Sequence, residues 1–283
     1  MLRNSLTIGL LFLTLSSVFA FQSNQLSTQK EILSKLTGHE AIQGQTKLKD
    51  RFAQESREIA AEYLKTKLAT FCEAIIENYS ATGNNVIGTI PATVSTDQWI
   101  ILGAHYDSVR DCPGANDNAS GVALAYSVAQ HIASLPDRKY NMKVVFFDEE
   151  ERGLIGSKAY AQQLVDKNMK VVSVHTVDQL AWDKDGDMGI ELEVPTENIK
   201  SHYLKIAKDF GYEFPIQISD VTSTDHRSFR NQGFAATGIT EEYKNGDTTP
   251  HYHRPTDTYE TVNFEYLTTI TTYVAKVFED LMK

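Results

Sequence analysis

The sequence predicts an α/β fold, a three-layer α/β/α sandwich on a central mixed, mostly parallel sheet. Short runs rich in β-branched and apolar residues alternate with helical stretches, and several runs are apolar at every position, as strands buried on both faces are. At 283 residues, 41% of them hydrophobic, the chain is long enough to bury such a core within one domain.

The first twenty residues read as a signal peptide. A basic Arg3 precedes the apolar run Leu6 to Leu15, and Val18-Phe19-Ala20 has the small-x-small pattern of a cleavage site. Cleavage after Ala20 leaves residues 21–283 as a single domain, secreted or periplasmic. The apolar run is too short for a spanning anchor, so no membrane anchor is expected.

From about Lys47 a stripe of Phe52, Ile59, Tyr63, Leu64 and Leu68, free of Gly and Pro, predicts a long helix with one face on the core. Phe71 to Tyr79 either continues it or forms a first strand before the turn Thr82-Gly83-Asn84-Asn85, and the strand is favoured. Strands follow at Val86 to Ile90, Trp99 to Ala104, Val144 to Phe147, Val171 to Val177 and Ile190 to Val194. Helices fall at about Ser120 to Ser134, Gly156 to Lys167 and Asn198 to Phe210, with a last one from Phe264 to Met282. Open α/β sheets place their sites in loops beyond the strand C-terminal ends, so the polar residues just after each strand carry the functional question.

The net charge of -10 argues against nucleic acid as a partner. Two cysteines, Cys72 and Cys112, are too few for a disulfide scaffold, and neither stands in a context that activates a thiol.

The strand ends are rich in metal-binding side chains. Ile100 to Ala104 runs into His105-Tyr106-Asp107, where alternation puts His105 and Asp107 on one face and lets Asp107 fix the imidazole tautomer. The loop Pro113 to Gly121 carries Asn116, Asp117, Asn118 and Ser120, more polar groups than one helix cap needs, and a carboxylate held there can bridge two cations. Val144 to Phe147 runs into Asp148-Glu149-Glu150-Glu151. Four like charges at a buried strand end repel unless a cation or proton compensates, and adjacent residues project differently, so one glutamate can bind a metal while its neighbour faces a bound water. Val171 to Val177 ends at Asp178. His175 has the opposite parity and reads as a core histidine. Finally, Thr249 to Thr258 contains His251 and His253, either of which can reach a metal. Oxygen and nitrogen donors without thiolate suit zinc best, with manganese and cobalt as alternatives.

AHYDS, PGANDNASG, FFDEEERGLIGS, the strand ending VD, and HYHRPTDT resemble, in order, the motifs of the secreted dizinc aminopeptidases of the bacterial leucyl-aminopeptidase type, from about Asn85 to the C-terminus. The resemblance implies the zinc exopeptidase fold and two Zn²⁺ per chain. It makes His105 and Asp178 ligands of one zinc, Glu151 and His253 of the other, and Asp117 the bridge. Counting back from Gly153 makes Glu150 the general base. Tyr252 is then a hydroxyl donor to the oxyanion, and Ser223 to His226 is either an acidic turn of the family or a helix cap. Peptides with a free N-terminus are the implied partners of a monomer, with carboxylates near the site, Glu149 among the candidates, holding the α-amino group. Two rivals share the pattern: a glutaminyl cyclase-like enzyme with a single zinc, and a non-catalytic peptidase-like binding domain.

Overall fold

The computed structural model describes residues 25–42, 44 and 47–283; the expected signal peptide lies outside them. A helix α1 spans 25–36. There follow α2 (Gln54–Leu68), β1 (Glu73–Asn78), β2 (Asn84–Ile90), β3 (Gln98–His105), α3 (Gly121–Ser134), β4 (Asn141–Phe147), α4 (Ile155–Asp166) and β5 (Lys170–Val177). The second half adds β6 (Ile190–Glu193), α5 (Glu197–Phe210), β7 (Ile216–Ser219), α6 (His226–Asn231), β8 (Ala236–Thr240) and α7 (Phe264–Leu281).

The eight strands form one mixed sheet in the order β1-β2-β4-β3-β5-β8-β6-β7. Its centre, β4-β3-β5-β8, is parallel, and β1, β2 and β6 join antiparallel. Alternation along β3 feeds both faces. Ile100, Leu102 and Ala104 pack into the larger core with α1, α2, α3, α5 and α7, while Ile101 joins Val145, Phe147, Tyr160 and Phe229 under α4 and α6. Each of the isoleucine, leucine, valine and phenylalanine side chains among them, withdrawn from water, contributes about 1.5–3 kcal/mol of hydrophobic stabilisation.

The chain leaves β3 through α3 to reach β4 on one side, and leaves β4 through α4 to reach β5 on the other. β3 is therefore where the winding reverses, and the crevice beyond its C-terminal end is where such sheets bind ligands. His105 pairs with Phe147 and Gly103 with Thr176, so β3, β4 and β5 end nearly flush at that crevice.

Three elements were not expected from the sequence: α1, β7 and β8. The two strands are only four and five residues long, and β8, Ala236-Thr-Gly-Ile-Thr, has few large apolar residues to mark it. On α2 the predicted stripe packs on the core, and the buried face is wider than the stripe. The helix's buried residues are Arg57, Ala60, Ala61, Leu64 and Leu68, while Ile59 and Tyr63 are half-buried and Phe52 precedes the helix.

Candidate metal centre

Beyond the three flush strand ends, side chains from five segments converge. Nε2 of His105, at the tip of β3, lies 3.2 Å from Asp117 Oδ1 and 3.5 Å from Asp178 Oδ1. Nε2 of His253 lies 3.2 Å from Asp117 Oδ2 and 3.0 Å from Glu151 Oε2. The two oxygens of Asp117 thus face different histidines, dividing the cluster into two donor sets that share this carboxylate.

Neighbouring groups fix each donor. Asp107 places Oδ1 3.4 Å from His105 Nδ1, and its two oxygens accept the backbone N–H of Glu150 and Glu151 at 3.0 and 3.2 Å. One carboxylate therefore orients a histidine and the acidic turn together. Asp257 accepts the N–H groups of Asn116 and Asp117 at 2.9 and 3.1 Å, and Glu241 accepts the Asn116 amide at 2.9 Å. Arg51, fully buried, donates to the carbonyls of Tyr106, Pro113 and Gly114 around the same loop. Gly114 has φ +64°, and a Cβ there would run into the Asp117 carbonyl and the Arg51 guanidinium. His253 itself holds a left-handed backbone, φ 57°, a strained conformation of the kind that clusters at functional sites.

The electrostatics leave a demand for positive charge. Burial, reinforced by neighbouring carboxylates, pushes Glu150 up to about 10, Glu151 to about 7 and Asp178 to about 6. Burial would lower His105, but Glu150 and Asp178 outweigh it and raise the imidazole well above its usual value. Asp117 is held low, against its own burial, by the two histidines that face its oxygens. Buried atoms of the same side chains, His105 Nε2, Glu151 Oε1 and Asp178 Oδ1, have no hydrogen-bond partner, although buried polar atoms nearly always find one. Imidazole and carboxylate donors with unpaired buried atoms, and no thiolate among them, fit zinc.

Several sequence expectations sort out on this geometry. All five candidate ligands come together with Glu150, while His251 turns away to Thr256 Oγ1 at 2.9 Å and against the Trp182 ring. Tyr252 lines the pocket with its ring stacked on His253 at 3.8 Å. His175 is a core histidine, bonded to Tyr203 Oη at 3.0 Å and Ser173 Oγ at 2.9 Å. Asp225 stands at the start of α6, yet its side chain caps nothing and is buried, so the cap reading is set aside.

Glu149 is corrected. It is buried, with Oε1 3.1 Å from Arg57 and 2.9 Å from Arg152, and Tyr79 donates to Oε2 at 3.1 Å. Arg57 also lies beside Asp148, so arginine rather than metal compensates the first half of the acidic run. Neither Cys72 nor Cys112 is paired. Asn118, in a glycosylation sequon, is fully buried and donates to the Val177 carbonyl at 2.7 Å. Sequence reasoning missed Arg51, Arg57, Glu241 and Glu193. Glu193 had a signal, an acid at the end of a strand of alternating Ile-Glu-Leu-Glu, and Glu241 follows a strand that was not recognised. The arginines had none.

A mostly parallel α/β sheet with imidazole and carboxylate donors gathered at its switch point has the frame of a metal-binding α/β domain. The model of peptidase family M28 matches residues 85–278, and the chain belongs to that family. Aminopeptidase YwaD of Bacillus subtilis is 31% identical over 196 residues, which is 66% of this chain and 42% of that protein. The chain spans about half or less of the length of the curated relatives it matches. Among solved structures, the LapA aminopeptidase of Legionella pneumophila superposes with a TM-score of 0.80 at 19% identity, covering 94% of this chain and 75% of that one. Glutaminyl cyclase of Bacteroides thetaiotaomicron gives 0.74 at 17% identity, covering 89% and 97%. At these identities the likeness is one of fold.

Proposed function

We propose that the protein is a zinc-dependent aminopeptidase that removes residues from the free N-terminus of peptides. The observation that carries this reading is Asp117, whose two oxygens face His105 and His253 at 3.2 Å each, the arrangement of a carboxylate shared by two cations. His105 and Asp178 would complete one zinc site, Glu151 and His253 the other. Zinc bound there supplies Lewis acidity and lowers the pKa of water.

The remaining steps belong to the chain's own residues. Glu150, beside the donors and largely withdrawn from solvent, takes the proton of the attacking water and delivers it to the leaving amine. Asp107 holds the turn that carries it. Tyr252 lines the pocket with its ring stacked on His253, and its hydroxyl would donate to the oxygen that becomes negative. Export fits the N-terminal pattern, with a mature chain beginning at Phe21, and the end group of the secreted protein checks this. No helix among the described residues is long and apolar enough to cross a membrane.

The test is hydrolysis of free-amine and N-acetylated aminoacyl p-nitroanilides, before and after chelation and zinc return. Turnover of the free amine alone, lost and restored with zinc, supports the reading. Equal turnover of the blocked substrate overturns the exopeptidase part. A glutaminyl cyclase reading draws support from fold coverage of nearly the whole of that chain. One zinc per chain with cyclisation of N-terminal glutamine would favour it, and two with hydrolysis would end it.

A further inference from the structure

Five carboxylates line the pocket: Asp117, Glu150, Glu151, Asp178 and Glu193. The proposed chemistry uses the first four and leaves Glu193 without a task. Its position is built with care. Thr224 Oγ1 donates to Oε2 at 2.7 Å, and His226 Nδ1 lies 3.1 Å from the same oxygen. Thr237 Oγ1 donates to its backbone carbonyl at 3.0 Å. Glu193 pairs with Gly238 on β8, and a Cβ at Gly238 would run into Oε2, so the carboxylate occupies space that only glycine leaves free. Val221 and Tyr243 line the same pocket. A buried acid fixed beside these two side chains matches a side chain with an aliphatic stem and a cationic head. The lining residues include no lysine or arginine; His253 is taken by the metal reading, and His226 stands against Glu193 Oε2.

Resting on the aminopeptidase reading, we infer that Glu193 determines specificity by drawing substrates whose N-terminal residue is lysine or arginine. A neutral aliphatic residue leaves the acid facing apolar atoms, whereas an ammonium or guanidinium pairs with it.

Zinc-loaded wild type and Glu193→Gln are compared on lysyl-, arginyl- and leucyl-p-nitroanilide. In wild type the basic substrates have the higher kcat/KM. In Glu193→Gln the ratio of basic to leucyl falls roughly tenfold to hundredfold, chiefly through KM, and Glu193→Asp retains part of it. An unchanged ratio, or a wild type that prefers leucyl, overturns the inference. Competition by free lysine against norleucine, the same stem without the ammonium, needs no variant, so it decides the matter if Glu193→Gln fails to fold. Equal affinity for the two overturns the inference. Calorimetric titration of the same pair reads Glu193 even if no substrate is cleaved, the result that would instead sink the aminopeptidase reading.

Discussion

Arg57 Nε lies 2.7 Å from Asp148 Oδ1, with both side chains withdrawn from solvent. The arginine sits on α2, outside the residues matched by the family model, and the aspartate opens the acidic run that ends in the metal centre. The pair therefore ties the N-terminal helix to the turn bearing Glu150 and Glu151.

Removing the guanidinium leaves Asp148 and Glu149 buried without their cation. Arg57→Ala is expected to lower unfolding stability by on the order of 3–5 kcal/mol, since breaking one side of a buried pair strands the other charge. Urea unfolding of the two proteins measures this. Arg57→Lys keeps the charge but not the fork that reaches both acids, so it falls between them.

The register of the acidic run gives a second prediction. Glu151 Oε2 is 3.0 Å from His253 Nε2, within one donor set, whereas Glu150 flanks the other. Glu150→Gln is expected to keep two zincs per chain and lose about 10²–10⁴ in kcat/KM. Glu151→Gln is expected to lose one zinc. Metal analysis beside kinetics separates the two, and the opposite pattern would shift the register by one residue.

The centre was legible in the sequence because its donors come at strand ends, where an apolar run stops and a polar residue begins. His105, Asp117, Glu151, Asp178 and His253 all met that condition or sat in a glycine- or proline-marked loop. What holds them was not legible. Arg51 and Arg57 look like surface arginines of an amphipathic segment, and nothing local says that they are buried under a loop more than fifty residues away. Glu241 was hidden for a related reason: it follows β8, whose small residues give no strand signal, and its partners come from three other segments.

Asp107 offers a third prediction. It touches no substrate, yet its oxygens meet His105 Nδ1 and the N–H groups of both glutamates. Asp107→Asn replaces an acceptor with a donor facing an N–H, so His105 and the turn lose their common anchor. Zinc affinity is expected to fall about 10–100-fold, as for other supporting partners of metal ligands. Competition with a chromophoric chelator reads the change. An unaltered affinity would mean that the strand ends alone position the site.

The last prediction concerns a group far from chemistry. His175 is buried against Tyr203, Ser173 and the Phe278 ring, and burial, aided by the nearby His202, lowers its imidazole to about 3. In the unfolded chain the same imidazole takes a proton near its usual 6.5. Above that pH neither state is protonated and the residue adds no pH dependence. Below it the unfolded state binds a proton that the folded state refuses, so stability falls with pH until about 3, by up to about 1.4 kcal/mol per unit. His175→Gln keeps hydrogen-bonding capacity without titrating. Unfolding free energies at intervals from pH 7 to pH 4 should therefore fall less steeply for the variant than for wild type. Taking the difference removes the acid sensitivity of the metal centre, which both proteins share. Parallel slopes would mean that His175 accepts its proton in the folded state, which the lack of any carboxylate among these contacts argues against.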